Sequence, residues 1–449
     1  MQNLDGTVVA TALPTMAKAF GADPLHMNVA LTSYLLSLAV FIPLSGWMAD
    51  RFGTRTVFRS AIAVFTIGSI LCGQATSLWE LVVARIIQGV GGAMMVPVGR
   101  LVLLRSVAKS ELVAAMAWLT VPALIGPVVG PPLGGFLVTY ADWRWIFYIN
   151  VPIGLLGILL VTRFVEDIRE PAPKQLDVIG LFLLGVALSG LLFGFETLGR
   201  GILSPFIAGG AIIAGAMGLL GYWAHARRTA DPLLDVTLMR VPTFAVSVLG
   251  GSLFRVGVGA VPFLLPLMLQ LGFGNSAAQS GLITFAGSLG AIVMKPATQA
   301  ALRWFGFRAT LMWNGVLSAI LLGACAAFSP AWPLLAIYAV LLIGGFLRSL
   351  QFTAYNTIAY ADIDRVRMSA ATSLYATIQQ VSLTLGITIG AAALEASTLL
   401  SHHTAPAIAD FAVAFLVVSG IALMGAPLSL VLSRDAGAEL SGNKSRRAA

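Results

Sequence analysis

The stretch ALIGPVVGPPLGGFL, residues 123–137, holds four glycines and three prolines in fifteen positions, and every other residue in it is apolar. Glycine and proline at that density usually mark a loop. A solvated loop, however, carries polar side chains, and this stretch has none. Gly126, Gly130 and Gly134 recur every four residues, which on an α-helix stacks them along one face with about 40° of drift per step. Pro127 and Pro131 each delete a backbone hydrogen bond; water-exposed helices tolerate this poorly, whereas packed helices in a bilayer can satisfy the freed carbonyls. The stretch therefore reads as a membrane helix whose small-residue face admits a neighbour backbone to backbone.

The rest of the chain fits that setting. Of 449 residues, 58% are hydrophobic and 10% charged, where soluble domains average about a quarter charged. Mean hydropathy is +0.90. Apolar runs long enough to cross about 30 Å of hydrocarbon recur throughout, with no room for a soluble domain between them. They fall at 5–20, 28–48, 58–76, 79–101, 113–138, 143–163, 177–197, 203–223, 242–271, 279–300, 308–328, 333–356, 369–396 and 409–432, fourteen in all. The expected fold is an all-α polytopic membrane protein. Residues 1–165 would form a six-helix bundle, 166–176 a linker, 177–223 an inserted helix pair and 224–241 a second linker. Residues 242–432 would form the other six-helix bundle, and 433–449 a tail.

The net charge of +8 and pI near 9.8 raise the question of nucleic acid, which the placement of the basic residues answers. With the N-terminus inside, nineteen Lys and Arg fall in inner loops and the tail, three (Lys18, Arg144, Arg200) in outer loops and five within spans. This is the positive-inside bias, and it sets both termini in the cytoplasm without invoking a nucleic-acid partner. Cys72 and Cys325 lie singly in apolar runs, and His402 and His403 are merely adjacent, so no disulfide framework, metal site or cofactor is expected. No phosphate-binding loop or nucleophile elbow is present, which argues against ATP-driven pumping and catalysis.

The first run is short. From Gly6 to Phe20 it has fifteen residues, about 22 Å of helix, so a dozen or so further residues are expected upstream of Met1. RFGTR at 51–55 and WFGFR at 304–308 form a weak repeat, each after the second helix of its six-helix half, as in transporters built from two rocking bundles.

Three clusters carry chemistry. SGWMADRFGTRTVF, residues 45–58, crowds Gly46, Asp50, Arg51, Gly53 and Arg55 into one turn, where the carboxylate can accept charge-assisted bonds; a solvated positive-inside loop would have the same composition. LVVARIIQGVGGAMMVP, residues 81–97, places Arg85 inside a membrane helix, where a charge marks a functional site unless it only ties backbone carbonyls together. Asp5 is the acid of the first run, either a proton carrier or a membrane-edge residue. Arg255, Lys295 and Arg348 are further intramembrane cations, with Arg255 deepest. Trp143, Trp145 and Tyr148 read as interfacial anchors.

These segments resemble the major facilitator superfamily. Residues 46–55 are similar to its G-x-x-x-D-[RK]-x-G-[RK]-[RK] signature, with Thr54 in place of a basic residue and Arg303 where the second half would repeat Asp50. Arg85 and Gly89 match its R-x-x-x-G segment. Gly126, Gly130, Pro131, Gly134 and Gly135 match G-x-x-x-G-P-x-x-G-G, a pattern of its antiporters. LDGTVVATALP (4–14), WRWIFYINVPIG (143–154) and the inserted pair resemble the fourteen-helix drug:proton antiporters of the EmrB/QacA type, and HMNVALTSYLLSLAVFIPLSGWMADRFG (26–53) and QGVGGAMMVPVGR (88–100) look like the MdtD-like multidrug exporters.

The resemblance implies proton-driven efflux of apolar or cationic small molecules by alternating access across a bacterial inner membrane. Asp5 and Arg85 would handle protons, Asp50 with Arg51 and Arg55 would latch the inner gate, and residues 126–135 would form a hinge-like contact. Tyr34, Gln88, Trp118, Arg255, Phe352 and Tyr355 are the candidate cavity lining. Expected partners are the substrate, protons and the lipid bilayer, with a periplasmic adaptor left open and otherwise a monomer. A dedicated exporter of one endogenous metabolite has the same signature; a sensor or scaffold without transport would need an output domain that this sequence lacks.

Overall fold

The computed structural model describes residues 1–21, 28–169, 175–198, 204–403 and 406–443, with no strand among them. Its helices are α1 (Gln2–Phe20), α2 (Asn28–Phe41), α3 (Ser45–Phe52), α4 (Thr54–Gln74), α5 (Leu78–Ser106), α6 (Leu112–Tyr140), α7 (Trp145–Tyr148), α8 (Asn150–Phe164), α9 (Val178–Leu198), α10 (Pro205–Ala226), α11 (Pro242–Leu267), α12 (Ala277–Ala309), α13 (Gly315–Ala324), α14 (Leu334–Ile358), α15 (Met368–Leu400), α16 (Ile408–Met424) and α17 (Ala438–Ser441). Among the described residues, ten stretches are long and apolar enough to cross a membrane, and one of them, Gln279–Ala327, is 49 residues long. Large apolar side chains stay exposed along these helices, including Phe206, Leu335 and Leu400, each more than three-quarters exposed, as a lipid-facing surface requires.

The glycine- and proline-rich stretch lies wholly inside α6. Gly126, Gly130 and Gly134 are all buried, so the stripe faces protein; the surroundings of Pro131 and Gly135 lie outside the described residues. Helix α1 is nineteen residues long, about 28 Å, starting four residues ahead of the apolar run at Gly6.

The chain divides into two compact units. The first comprises Met1–Ser106, Pro122–Val236 and Asp364–Thr377; the second comprises Val107–Val121, Thr237–Ile363 and Ile378–Ala449. The division falls inside α6 and inside α15, so each of these helices contributes residues to both. In the first unit, α4 packs along α5, α2 along α5, and α9 along α10, with Val8, Val9, Ala12, Met16, Trp143 and Phe147 in one apolar core. In the second, α12 runs against α14 and α11 against α16 around Leu264, Met268, Leu322, Phe411 and Phe415.

The two related turns share a backbone conformation. Gly53 has φ 91° and ψ 146°, and Gly306, the matching position of WFGFR, has φ 72° and ψ 169°. Side chains avoid this region, so glycine at both positions allows the chain to break direction between helices. The tail is not loose up to Asn443: α17 packs on α12, Leu440 is 1% exposed, and Glu439 reaches Lys109 at 3.6 Å.

The α12–α14 contact gives a paired test. A Cβ on Gly345 would overlap the backbone of Gly287, which cannot yield, whereas one on Gly344 would meet only Leu321 at ordinary contact distance. Gly345→Val should therefore cost about 1–3 kcal/mol or more and lower the thermal unfolding temperature of the purified protein, while Gly344→Val should leave it near wild type.

Candidate functional site

Arg85 and Gln88 are three residues apart on α5 and so share a face. Two glycines let α4 approach that face closely: a Cβ on Gly68 would overlap the Gln88 backbone, and one on Gly91 would overlap the backbone at Ala61 and Phe65. Ser69 and Cys72 of α4 are thereby brought within reach of the Gln88 side chain. Helix α1 supplies Asp5, α2 supplies the Ala30 carbonyl and the Tyr34 ring, and α8 supplies its first residue, Asn150.

These groups form one buried network, in which Arg85 Nη2 and the Tyr34 hydroxyl have no hydrogen-bond partner among the described residues. Arg85 Nη1 donates to Asp5 Oδ2 at 2.5 Å and to Gln88 Oε1 at 2.6 Å, and Arg85 Nε donates to Ala30 O at 3.2 Å. Gln88 Nε2 donates to Asp5 Oδ1 at 2.9 Å and to Ser69 Oγ at 2.7 Å, while Asn150 Nδ2 reaches the same Asp5 oxygen at 3.2 Å. The guanidinium sits 4.1 Å over the Tyr34 ring. Asp5, Arg85, Gln88, Ser69, Asn150 and Tyr34 are each 2% exposed or less. An ion pair in so dry a place survives only through such additional bonds, and removing one partner strands the other.

The second cluster surrounds Asp50. Its carboxylate accepts from Arg105 Nη2 at 3.0 Å and from Ser369 Oγ at the start of α15. Ser373, one turn on, donates to Pro43 O at 2.6 Å and Ile42 O at 3.2 Å, and Gly46 lies against the Ser369 carbonyl, where a Cβ would collide. The expected arrangement of Asp50 with Arg51 and Arg55 is thus replaced by Asp50 with Arg105 and Ser369. Arg51 is exposed, and Arg55 turns to the linker, donating through Nε to Val165 O at 2.6 Å.

Thr54, the departure from the expected basic residue, is fully buried. It donates to Glu166 O at 2.9 Å and accepts from Ile168 N at 3.1 Å, so it fastens the linker to the turn. Burial pushes the Asp167 carboxyl up, but Arg169 and the Thr56 amide outweigh this and hold it below the usual carboxylate range.

Of the six candidate lining residues, two belong to the first unit and four to the second. Tyr34 and Gln88 belong to the Asp5 network of the first unit. In the second unit Arg255, 1% exposed, lies 5.7 Å from the Phe352 ring centroid, and Tyr355 packs on Phe254 with ring centroids 6.0 Å apart. Trp118 is 61% exposed. Lys295 donates to Thr353 Oγ1 at 3.0 Å. An apolar groove of about 490 Å³ lined by Leu71, Trp79 and Val83 contains none of these site residues. Among the described residues, no group of three His, Cys, Asp or Glu could hold a metal ion.

Residues 1–387 match the family described as Major Facilitator Superfamily. The chain belongs to that superfamily. Among its relatives are proteins named "Putative multidrug resistance protein MdtD". That of Salmonella typhimurium is 39% identical over 398 residues, 87% of this chain and 83% of that protein; that of Serratia proteamaculans is 39% identical over 397 residues, 87% and 81%. Two solved major facilitator structures have a similar fold. The human organic anion transporter MFSD10 (TETRAN) gives a TM-score of 0.70 at 16% identity over 95% of this chain and 96% of that one. The proton:xylose symporter XylE, bound to 6-bromo-6-deoxy-D-glucose, gives 0.65 at 14% over 95% and 91%. This chain is accordingly a multi-pass membrane transporter of the major facilitator fold and not an enzyme.

The buried pair predicts a non-additive mutant series. Arg85→Gln alone leaves the Asp5 carboxylate unpaired and should destabilise the protein by about 3–5 kcal/mol. Adding Asp5→Asn should recover much of that loss, a coupling measurable as a double-mutant cycle in thermal or denaturant unfolding.

Proposed function

We propose that this transporter expels small apolar or cationic compounds in exchange for protons, by alternating access. The observation that carries the reading is the Asp5–Arg85 pair, a carboxylate and a guanidinium in contact where almost no solvent reaches. Such an acid is costly to leave charged without its partner and costly to strip of its proton when the partner is engaged elsewhere. Any step that weakens the Arg85 contact favours protonation of Asp5, and any step that restores it favours release, which links the proton to conformation.

Support for export comes from the buried glycine stripe of α6 and its resemblance to the antiporter pattern at Gly126, Gly130, Pro131, Gly134 and Gly135. The multidrug-resistance names of relatives at 39% identity point the same way. The Asp50 cluster would serve as the inner gate, through Arg105 and the first turn of α15 rather than through Arg51 and Arg55. The proposal places fourteen crossings in a bacterial inner membrane with both termini cytoplasmic, as the distribution of Lys and Arg favours, and has the chain act as a monomer unless a periplasmic adaptor joins it.

The test is reconstitution into liposomes enclosing a pH-reporting dye, with a panel of lipophilic cations and neutral apolar compounds as probes. Wild type should move protons on addition of transported compounds, and Asp5→Asn should fall to the rate of empty liposomes. Gly130→Val should remain in the membrane and yet lose transport, because the small-residue face would be blocked. Proton movement by wild type with no compound in the panel, or undiminished movement by Asp5→Asn, would overturn the reading.

A further inference from the structure

The partners of Asp5 are not equivalent. Gln88 is committed at both ends of its amide: Oε1 accepts from Arg85 at 2.6 Å, and Nε2 donates to Asp5 at 2.9 Å and Ser69 at 2.7 Å. Turning that amide over would set an NH2 group against the guanidinium. Arg85 is a donor only. Asn150 differs. Its Nδ2 donates to Asp5 Oδ1 at 3.2 Å, the longest of the three contacts to this carboxylate, and its Oδ1 is buried with no hydrogen-bond partner among the described residues. A half-turn of the Asn150 amide exchanges Oδ1 and Nδ2, placing an acceptor where a donor stood.

A carboxylic acid needs such an acceptor, since protonation turns Asp5 from an acceptor into a donor of one O–H. Around Asp5 the other charged or titratable groups are Arg85 from α5, Tyr34 from α2, Cys72 from α4 and the Met1 amino group at the start of α1 itself. The Tyr34 hydroxyl, also buried with no hydrogen-bond partner among the described residues, lies beside Gly92, a turn beyond Gln88, and Cys72 Sγ is directed to Gln88 Oε1 at 3.7 Å.

We infer that Asn150 is a positioning residue for both protonation states of Asp5, donating to the carboxylate and, after its amide turns, accepting the O–H of the neutral acid. The proton arrives on Asp5 Oδ1 and departs from it; Asn150 neither gains nor loses one. The inference deepens the proton-exchange reading and rests on it. The balance of contacts sets its sign. Without Asn150 the carboxylate keeps Arg85 and Gln88, whereas the neutral acid loses its acceptor, so the neutral form suffers more.

The experiment follows the C=O stretch of the protonated carboxyl by infrared difference spectroscopy of the full chain in lipid, titrated from about pH 4 to 10 without any substrate. Asp5 is assigned as the band that Asp5→Asn abolishes. Asn150→Leu, close in volume to asparagine, should shift the midpoint of that band to lower pH by about half to one unit, the effect of one hydrogen bond. Asn150→Ala should shift it the same way, and it serves if the leucine variant does not fold. A midpoint that stays put or rises in the folded variant overturns the inference while leaving Asp5 as the proton site. If no band sensitive to Asp5→Asn titrates in wild type, the proton-exchange reading falls, and the role of Asn150 with it.

Discussion

A carboxylate and a guanidinium held away from water constrain everything around them. Five helices each contribute to meeting that demand: α1 brings the acid, α5 the base and Gln88, α4 a hydroxyl, α2 a carbonyl and a ring, and α8 an amide. The cost of burying two charges is offset only by the bonds they make there, so these helices cannot drift apart without stranding further polar groups. The glycines of α4 and α5 belong to the same solution. With bulkier residues at Gly68 or Gly91 the helices would stand further apart, and Gln88 would lose Ser69.

Around Asp50 the burial is less complete. Its partners are an arginine whose side chain is 5% exposed and a serine at the first turn of α15. A carboxylate at 19% side-chain exposure keeps some access to solvent, so making and breaking its bonds costs far less than at Asp5. One acid is held in the dry, and the other keeps some contact with solvent.

Hydropathy made the helices legible, because a run of apolar residues about 20 long in this composition has few other uses. Asp5 and Arg85 stood out singly, each as a charge where charges are expensive. Their pairing did not, since eighty residues separate them and no periodicity links one helix to another. Asn150 was hidden inside WRWIFYINVPIG, whose aromatic residues suggest an interface and draw the eye from the amide. Arg105 was hidden for the opposite reason: it is one basic residue among nineteen in inner segments, and nothing local distinguishes the one that meets Asp50. Thr54 stands where the signature has a basic residue, and only the position of the linker shows what it holds. The docking of α17 was equally invisible, because a polar, glycine-punctuated tail carries one buried leucine and no amphipathic pattern.

Gly53 and Gly306 carry the same bend in two halves whose charges have parted: one turn holds Asp50 and the other Arg303 at the corresponding place. At these two turns the backbone bend is shared and the side-chain charge is not. The bend is a requirement of chain geometry, common to any pair of helices that must reverse at that spot, and a copy that loses it loses its architecture. In this protein, kinship between the halves is better sought in torsion angles than in charge.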